Sequence, residues 1–357
     1  MANPVTEYAS DLPDFKDLLR AVADSKRQRT AIVEKDYYLC RALYVLAANH
    51  TGEFILKGGT SLSKGWNLLD RFSEDLDILV RTEADWGKSK RDTRLKGLRD
   101  AIAETKGFTL DREDNRTRAE TGVSRSAVYR YESVTSDVAG LGRNVLFEAG
   151  YRGSADASVK RPIRSMVAEY AKDKGQQNLA EDLRDFEIEL QDLRRTFVEK
   201  LFAIHAAYAN DLANNRMRHY YDLSRLCVLP EIQSYVGTDA YRVCVADVKK
   251  ICRESFADQS VPEGDSFKDS PAFQVSETFA ELERNYKREA EIVFSEPPTL
   301  QAIFEEIEKV RRLSFDSDEF YPNSLRSVQP PSAVTANLES RRRIRRTYAT
   351  NVRERVT

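Results

Sequence analysis

The chain is poor in the residues from which metal centres and covalent scaffolds are usually built: its 357 residues contain four cysteines and three histidines. Cys40, Cys227, Cys244 and Cys252 lie inside apolar, helix-like stretches without C-x-x-C spacing, which excludes a zinc ribbon or a disulfide framework and makes them small buried hydrophobes. His50, His205 and His219 are too few for a histidine-rich metal centre. No run of about 18 apolar residues occurs, so no membrane-spanning helix is expected. The opening "MANPVTEYASDLPDF" has neither the basic nor the apolar segment of a secretion signal, and the expected location is the cytoplasm. A net charge of -2, from 56 basic and 58 acidic residues, names no partner by sign. Only local clusters can point to a polyanion.

What is present is enough for a large folded protein. The length exceeds what one hydrophobic core usually fills, so two lobes are expected. "DFKDLLRAVADSKR" and "TAIVEKDYYLCRALYVLAANH" carry apolar residues at helical spacing. Phe54–Leu56 and Leu76–Val80 are short and apolar enough for buried strands, with a polar helix following at "SKRDTRLKGLRDAIAETKG". Further strands are expected at 126–134, 144–151 and 163–171, and "FEIELQDL" is one more short apolar run. From about residue 193 the pattern is almost wholly helical. The expectation is an α+β protein: a mixed sheet flanked by helices at 1–192, a helical lobe at 193–330, and a tail at 331–357 with seven arginines against two glutamates.

The stretch "FILKGGTSLSKGWNLLDRFSEDLDILV" holds the chemistry. On a strand, Asp75 and Asp77 project from one face with Cα atoms roughly 6.5 to 7 Å apart. Two carboxylates so placed repel unless a cation lies between them, and magnesium, or manganese, is the hard divalent ion that suits oxygen ligands beside phosphates. Gly58 and Gly59 allow close backbone approach, and a helix that Thr60 or Ser61 is positioned to cap offers its first amides to an anion. Ser73 can donate a hydroxyl to the same phosphates. Metal on one side and amides on the other describe a nucleoside triphosphate site. Alone, an Asp-x-Asp pair is also what an ordinary solvated strand end looks like.

Order and spacing narrow this. "GGTS" followed by "SEDLD" resembles the signature of DNA polymerase beta-like nucleotidyltransferases. Together with "VEKDYYLCRAL" at 33–43, "FVEKLFAI" at 197–204 and "RHYYDLSRL" at 218–226, it resembles the AbiEii/AbiGii family of bacterial toxins, MenT-like proteins included. The resemblance implies a polymerase beta-like N-terminal lobe, Asp75 and Asp77 as metal ligands, Lys200 as an essential lysine and Asp222 as an essential aspartate. Lys200 lies by an apolar stripe and either meets triphosphate oxygens or reaches for solvent. Asp222 either orients Lys200 or a base, or pairs with Arg218. Glu148 is the candidate third carboxylate, unless its strand is at an edge and it faces water.

The family resemblance further implies transfer of a nucleoside monophosphate from a triphosphate to the 3′ acceptor end of tRNA, blocking translation, with a cognate antitoxin encoded separately. Candidate RNA contacts are Arg152, Lys160, Arg161 and Arg164, then Arg194 and Arg195, then Arg216 and Arg218, each of which could equally be solvated surface. The tail, with Tyr348 for stacking, fits RNA or an antitoxin. Nucleotidylation of a protein hydroxyl and a noncatalytic nucleotide-binding regulator are the alternatives.

Overall fold

Alternation of half-buried and buried residues along Asn144–Gly150 and Asp75–Val80 gives the sheet one apolar face and one polar face. A computed structural model describes residues 6–136, 141–153, 157–210, 217–255, 262, 267, 270–274, 279–293 and 298–316. The chain divides into two units, Met1–Phe315 and Asp316–Thr357. The arginine-rich tail and Tyr348 lie outside the described residues.

The architecture is α+β, with a mixed sheet flanked by helices. Eight strands are described: β1 (Phe54–Lys57), β2 (Asp75–Val80), β3 (Phe108–Asp111), β4 (Arg118–Glu120), β5 (Ser124–Tyr131), β6 (Asn144–Gly150), β7 (Ser158–Ile163) and β8 (Phe186–Gln191). Their order is β3-β5-β6-β2-β1-β8-β7, with β4 also paired to β5. β2 runs antiparallel to β1 and parallel to β6, so it sits at the middle of the sheet.

The apolar face packs on α2 (Thr30–Asn49) and α4 (Lys88–Ala103), and α1 (Phe15–Lys26) and α5 (Met166–Asp173) pack on α2 in turn. Leu76, Ile78 and Val80 meet Val145, Phe147, Leu39, Leu43 and Leu98 in this first cluster. A second cluster is built by α6 (Leu193–Ala209), α7 (Met217–Cys227), α9 (Asp239–Ser255), α10 (Phe279–Val293) and α11 (Leu300–Asp316), with the short α8 (Pro230–Tyr235). Leu62 and Leu69, from the β1–β2 connection, belong to this second cluster. The Gly-Gly segment is therefore wedged between sheet and helices.

One strand expectation fails. Residues 163–171 form the end of β7 and then α5, because the Ser165 side chain caps the helix by accepting from the Ala168 amide at 3.0 Å. Val167, Ala168 and Ala171 fall on one face of this helix and are buried. The strand-forming run lies earlier, at β7, and β3 and β4 are likewise strands that the apolar pattern does not announce.

The "VEKDYY" motif is structural ballast for the polar face. Its Glu34, Lys35 and Asp36 are buried in α2. Glu34 accepts from Ser133 Oγ and the Val134 amide, both at 2.6 Å. Lys35 Nζ donates to Glu74, next to the acidic pair, at 2.6 Å. Asp36 pairs with Lys64 below the Gly-Gly turn and accepts from the Met166 amide at 2.7 Å. Removing one partner of a buried pair strands the other charge. Asp36→Ala is expected to cost about 3–5 kcal/mol in urea-unfolding free energy; a loss below about 1 kcal/mol would show that Lys64 finds water instead.

Candidate active site

The short α3 begins at Gly58–Thr60 and widens into a π-type turn at Ser61–Gly65. It starts earlier than the capping pattern suggests, and neither Thr60 nor Ser61 caps it. Thr60 Oγ1 donates to Ser73 Oγ at 3.1 Å, and Ser61 Oγ donates to the Gly58 carbonyl at 3.0 Å. The Ser61 amide is also engaged with the Gly58 carbonyl, which leaves the amides of Gly58, Gly59 and Thr60 as the helix-start donors.

Both glycines are required by what lies against them. Gly58 has a φ of +69°, and a methyl there would stand 2.0 Å from Asp77 Oδ2. A methyl on Gly59 would meet Arg71 Nη2 at 2.6 Å and Ser73 Oγ at 2.8 Å. The turn thus lets a carboxylate, a guanidinium and a hydroxyl crowd onto bare backbone.

Strand register assembles the acidic half. Asp77 pairs with Lys57 of β1 on one side and Glu148 of β6 on the other, and Glu148 pairs with Ser126 of β5. Directly paired residues share a face. Because β6 lies between β5 and β2, Glu148 is not on an edge strand. Burial, then the negative charges of Asp77, Glu74 and Glu148, push the Asp75 carboxyl up to about 6. Among the described residues neither Asp75 nor Asp77 has an ion-pair partner, which fits a hard divalent cation held by these two with Glu148 alongside. Among the described residues, no three His, Cys, Asp or Glu side chains converge into a ready-made ligand set. Asp77 leans against Gly58 instead.

The cationic half comes from further along the chain. Lys200 on α6 donates to Asp222 on α7 at 2.7 Å, and both are buried. Arg71, which the sequence reading did not single out, donates from Nε to Asp222 Oδ1 at 2.6 Å and from Nη2 to Oδ2 at 2.7 Å. Burial pushes the Asp222 carboxyl up, but Arg71 and Lys200 more than offset it and hold Asp222 ionised. Two cations on one anion leave a net positive charge behind Gly59. A cavity of about 240 Å³ opens between the halves, lined by Lys57, Gly58, Asp77, Lys200, His219 and Val248 among others.

A family model described as nucleotidyl transferase AbiEii toxin, type IV toxin-antitoxin system, matches residues 41–311. The chain belongs to the AbiEii nucleotidyltransferase toxin family. This AbiEii-type toxin is similar in fold to MenT4, a nucleotidyltransferase toxin from Mycobacterium tuberculosis H37Rv, at 17% identity and a TM-score of 0.55 over 84% of this chain and 92% of that one. No curated protein matches by sequence. A type IV system implies a separate cognate antitoxin. No helix among the described residues of the toxin is long and apolar enough to cross a membrane.

The arginines expected to form one groove are dispersed in the toxin. Arg152 lines the 240 Å³ cavity and donates to Glu120 at 2.7 Å. Lys160 is exposed on β7, the far edge strand; Arg161 stacks on Trp66 and donates to the Gly65 carbonyl; Arg164 is bidentate to Asp185. Arg194 is exposed beside Tyr235. Arg195 is 8% exposed and held by Glu199 and Asp247, so it ties α6 to α9 rather than presenting a charge outward. Arg218 reaches Glu74 at 3.5 Å, not Asp222. Arg216 lies outside the described residues.

Two outcomes follow for the AbiEii-type toxin. The raised Asp75 pKa favours the folded state below about pH 4, and this contribution is lost as pH rises through about 6. In metal-free buffer Asp75→Asn should therefore melt above wild type at pH 8, with the gap closing towards pH 4; equal melting curves at pH 8 would contradict it. Arg71→Ala removes two of the three cation contacts on Asp222 and should cost about 3–5 kcal/mol in urea unfolding. Arg71→Lys should recover only part, because an ammonium cannot fork onto a carboxylate.

Proposed function

We propose that this nucleotidyltransferase moves a nucleoside monophosphate from a triphosphate onto RNA, most specifically the 3′ acceptor end of tRNA, with Mg²⁺ or Mn²⁺ held by Asp75 and Asp77 beside Glu148. The observation that carries it is the opposition of two charge systems across Gly58 and Gly59: unneutralised carboxylates on β2, and the net-positive Arg71–Asp222–Lys200 group. A triphosphate with a divalent ion is complementary to both. The base and ribose fit the 240 Å³ cavity, whose floor includes Phe202, Val248 and Ile251. The phosphates run to Gly58, Gly59, Thr60, Ser73 and Lys200.

In the transfer, the acceptor hydroxyl oxygen bonds to the α-phosphorus, the bond from that phosphorus to the pyrophosphate oxygen breaks, and the hydroxyl proton passes towards the carboxylate row. When bound, the divalent ion lowers the charge barrier between triphosphate and carboxylates and activates the hydroxyl. Lys200 and Arg71 stabilise the charge gathering on the pyrophosphate. The RNA acceptor follows from the resemblance to tRNA-modifying relatives; a modified tRNA 3′ end cannot be aminoacylated, which accounts for toxicity.

Purified protein is to be incubated with magnesium, total tRNA and each labelled triphosphate in turn. Label should appear on tRNA and fall at least about 100-fold in Asp75→Ala and Lys200→Ala, a loss of the size set by removing a transition-state charge contact. Label confined to protein bands would instead identify a protein hydroxyl as acceptor.

A further inference from the structure

A second, larger cavity of about 490 Å³ lies over the same polar sheet face and is lined by Lys57, Asp77, Arg118, Ser126, Glu148 and Arg152, among others. It shares Lys57, Asp77 and Arg152 with the 240 Å³ cavity. The wall common to the two contains one of the acidic pair. We infer that the larger cavity is the acceptor site, which takes the single-stranded 3′ end of an RNA, and that Arg118 binds its backbone phosphate; the inference rests on the proposed transfer to RNA.

Register carries the argument. Asp77 pairs with Glu148, Glu148 with Ser126, and Ser126 with Arg118, one unbroken row on one face. At about 4.8 Å per strand step, the row spans about 14 Å from Asp77 to Arg118. That length suits a terminal nucleotide whose hydroxyl stands at the carboxylates and whose phosphate reaches the arginine. Arg118 is exposed and has no carboxylate partner among the described residues.

Two further constraints agree. In-line displacement places the attacking oxygen opposite the leaving pyrophosphate. If the donor occupies the cavity beside Lys200, the acceptor must arrive from the other side of the Asp77 wall, where the larger cavity lies. Charge is the second constraint: Lys57, Arg118 and Arg152 balance Asp77, Glu120 and Glu148 in the lining. A divalent ion on the acidic row makes that lining net positive, which suits a phosphodiester and disfavours a neutral peptide hydroxyl.

The test is steady-state kinetics on the full chain with total tRNA and labelled triphosphate, comparing wild type, Arg118→Ala, Arg118→Lys and, as a charge-matched control, Arg20→Ala on the remote α1. Arg118→Ala should raise the KM for tRNA about tenfold, leave the KM for triphosphate within about twofold, and reduce the salt slope of tRNA binding by about 1. Arg118→Lys should restore most of the loss, and Arg20→Ala should match wild type. Labelled tRNA with an unchanged tRNA KM in Arg118→Ala, or an equal rise in Arg20→Ala, overturns the acceptor site while leaving RNA transfer intact. Absence of both labelling and tRNA binding by wild type overturns the transfer proposal and the acceptor site together.

Discussion

Asp222 exposes none of its side chain, and an ionised carboxylate removed from water loses several kcal/mol of hydration unless donors replace it. Arg71 and Lys200 replace it with three charge-assisted hydrogen bonds. Those bonds join segments that are 151 and 22 residues from Asp222 in the chain. Arg71 belongs to the connection between β1 and β2, Lys200 to α6 and Asp222 to α7, so one carboxylate fixes how the helices meet the polar face of the sheet. Leu62 and Leu69 reinforce the join by entering the helical cluster from the same connection. A buried ion group is poor evidence of stability, since apolar residues of the same volume would often serve as well. Its value lies in leaving a positive charge where an anionic substrate can use it.

Against that charge, the crowding of Asp75 and Asp77 becomes intelligible. The sheet sets them on one face, and β6 adds Glu148 in register, so the fold concentrates negative charge instead of dispersing it. Lys35 neutralises the neighbouring Glu74, yet Asp75 still binds its proton more tightly than an ordinary aspartate. The protein therefore holds an anionic row and a cationic cluster a short distance apart, separated by two residues without side chains. Neither set quenches the other.

Much of this was legible in the amino acids. The Asp-x-Asp pair and the Gly-Gly turn are local, so spacing reveals them; Lys200 and Asp222 stood out only through resemblance of their flanking blocks. Arg71 escaped because its significance depends on a partner 151 positions away, and an arginine next to Asp70 in a polar loop gives no periodic signal. Thr60 and Ser61 were read as caps because hydroxyls beside a helix start usually are. The positive φ of Gly58 lets the helix begin earlier and turns both hydroxyls inward. Residues 163–171 carry enough apolar and β-branched side chains to pass for a strand, and the capping serine at 165 decides otherwise. Arg195 was read as an RNA contact or else as solvated surface, whereas its buried pairing with Glu199 and Asp247 depends on α6 lying beside α9.

The glycines finally explain why the motif is spelt as it is. A phosphate-cradling turn needs close backbone approach by ligand, and that is the usual reason for paired glycine. Here the protein's own side chains take much of that space: Asp77 sits over Gly58, and Arg71 and Ser73 sit over Gly59. A methyl group at either position would displace the acidic row or the cationic cluster before any substrate arrived. The turn is consequently the joint at which both charge systems are set, and a nucleotide bound there as proposed would meet groups whose positions the backbone has already fixed.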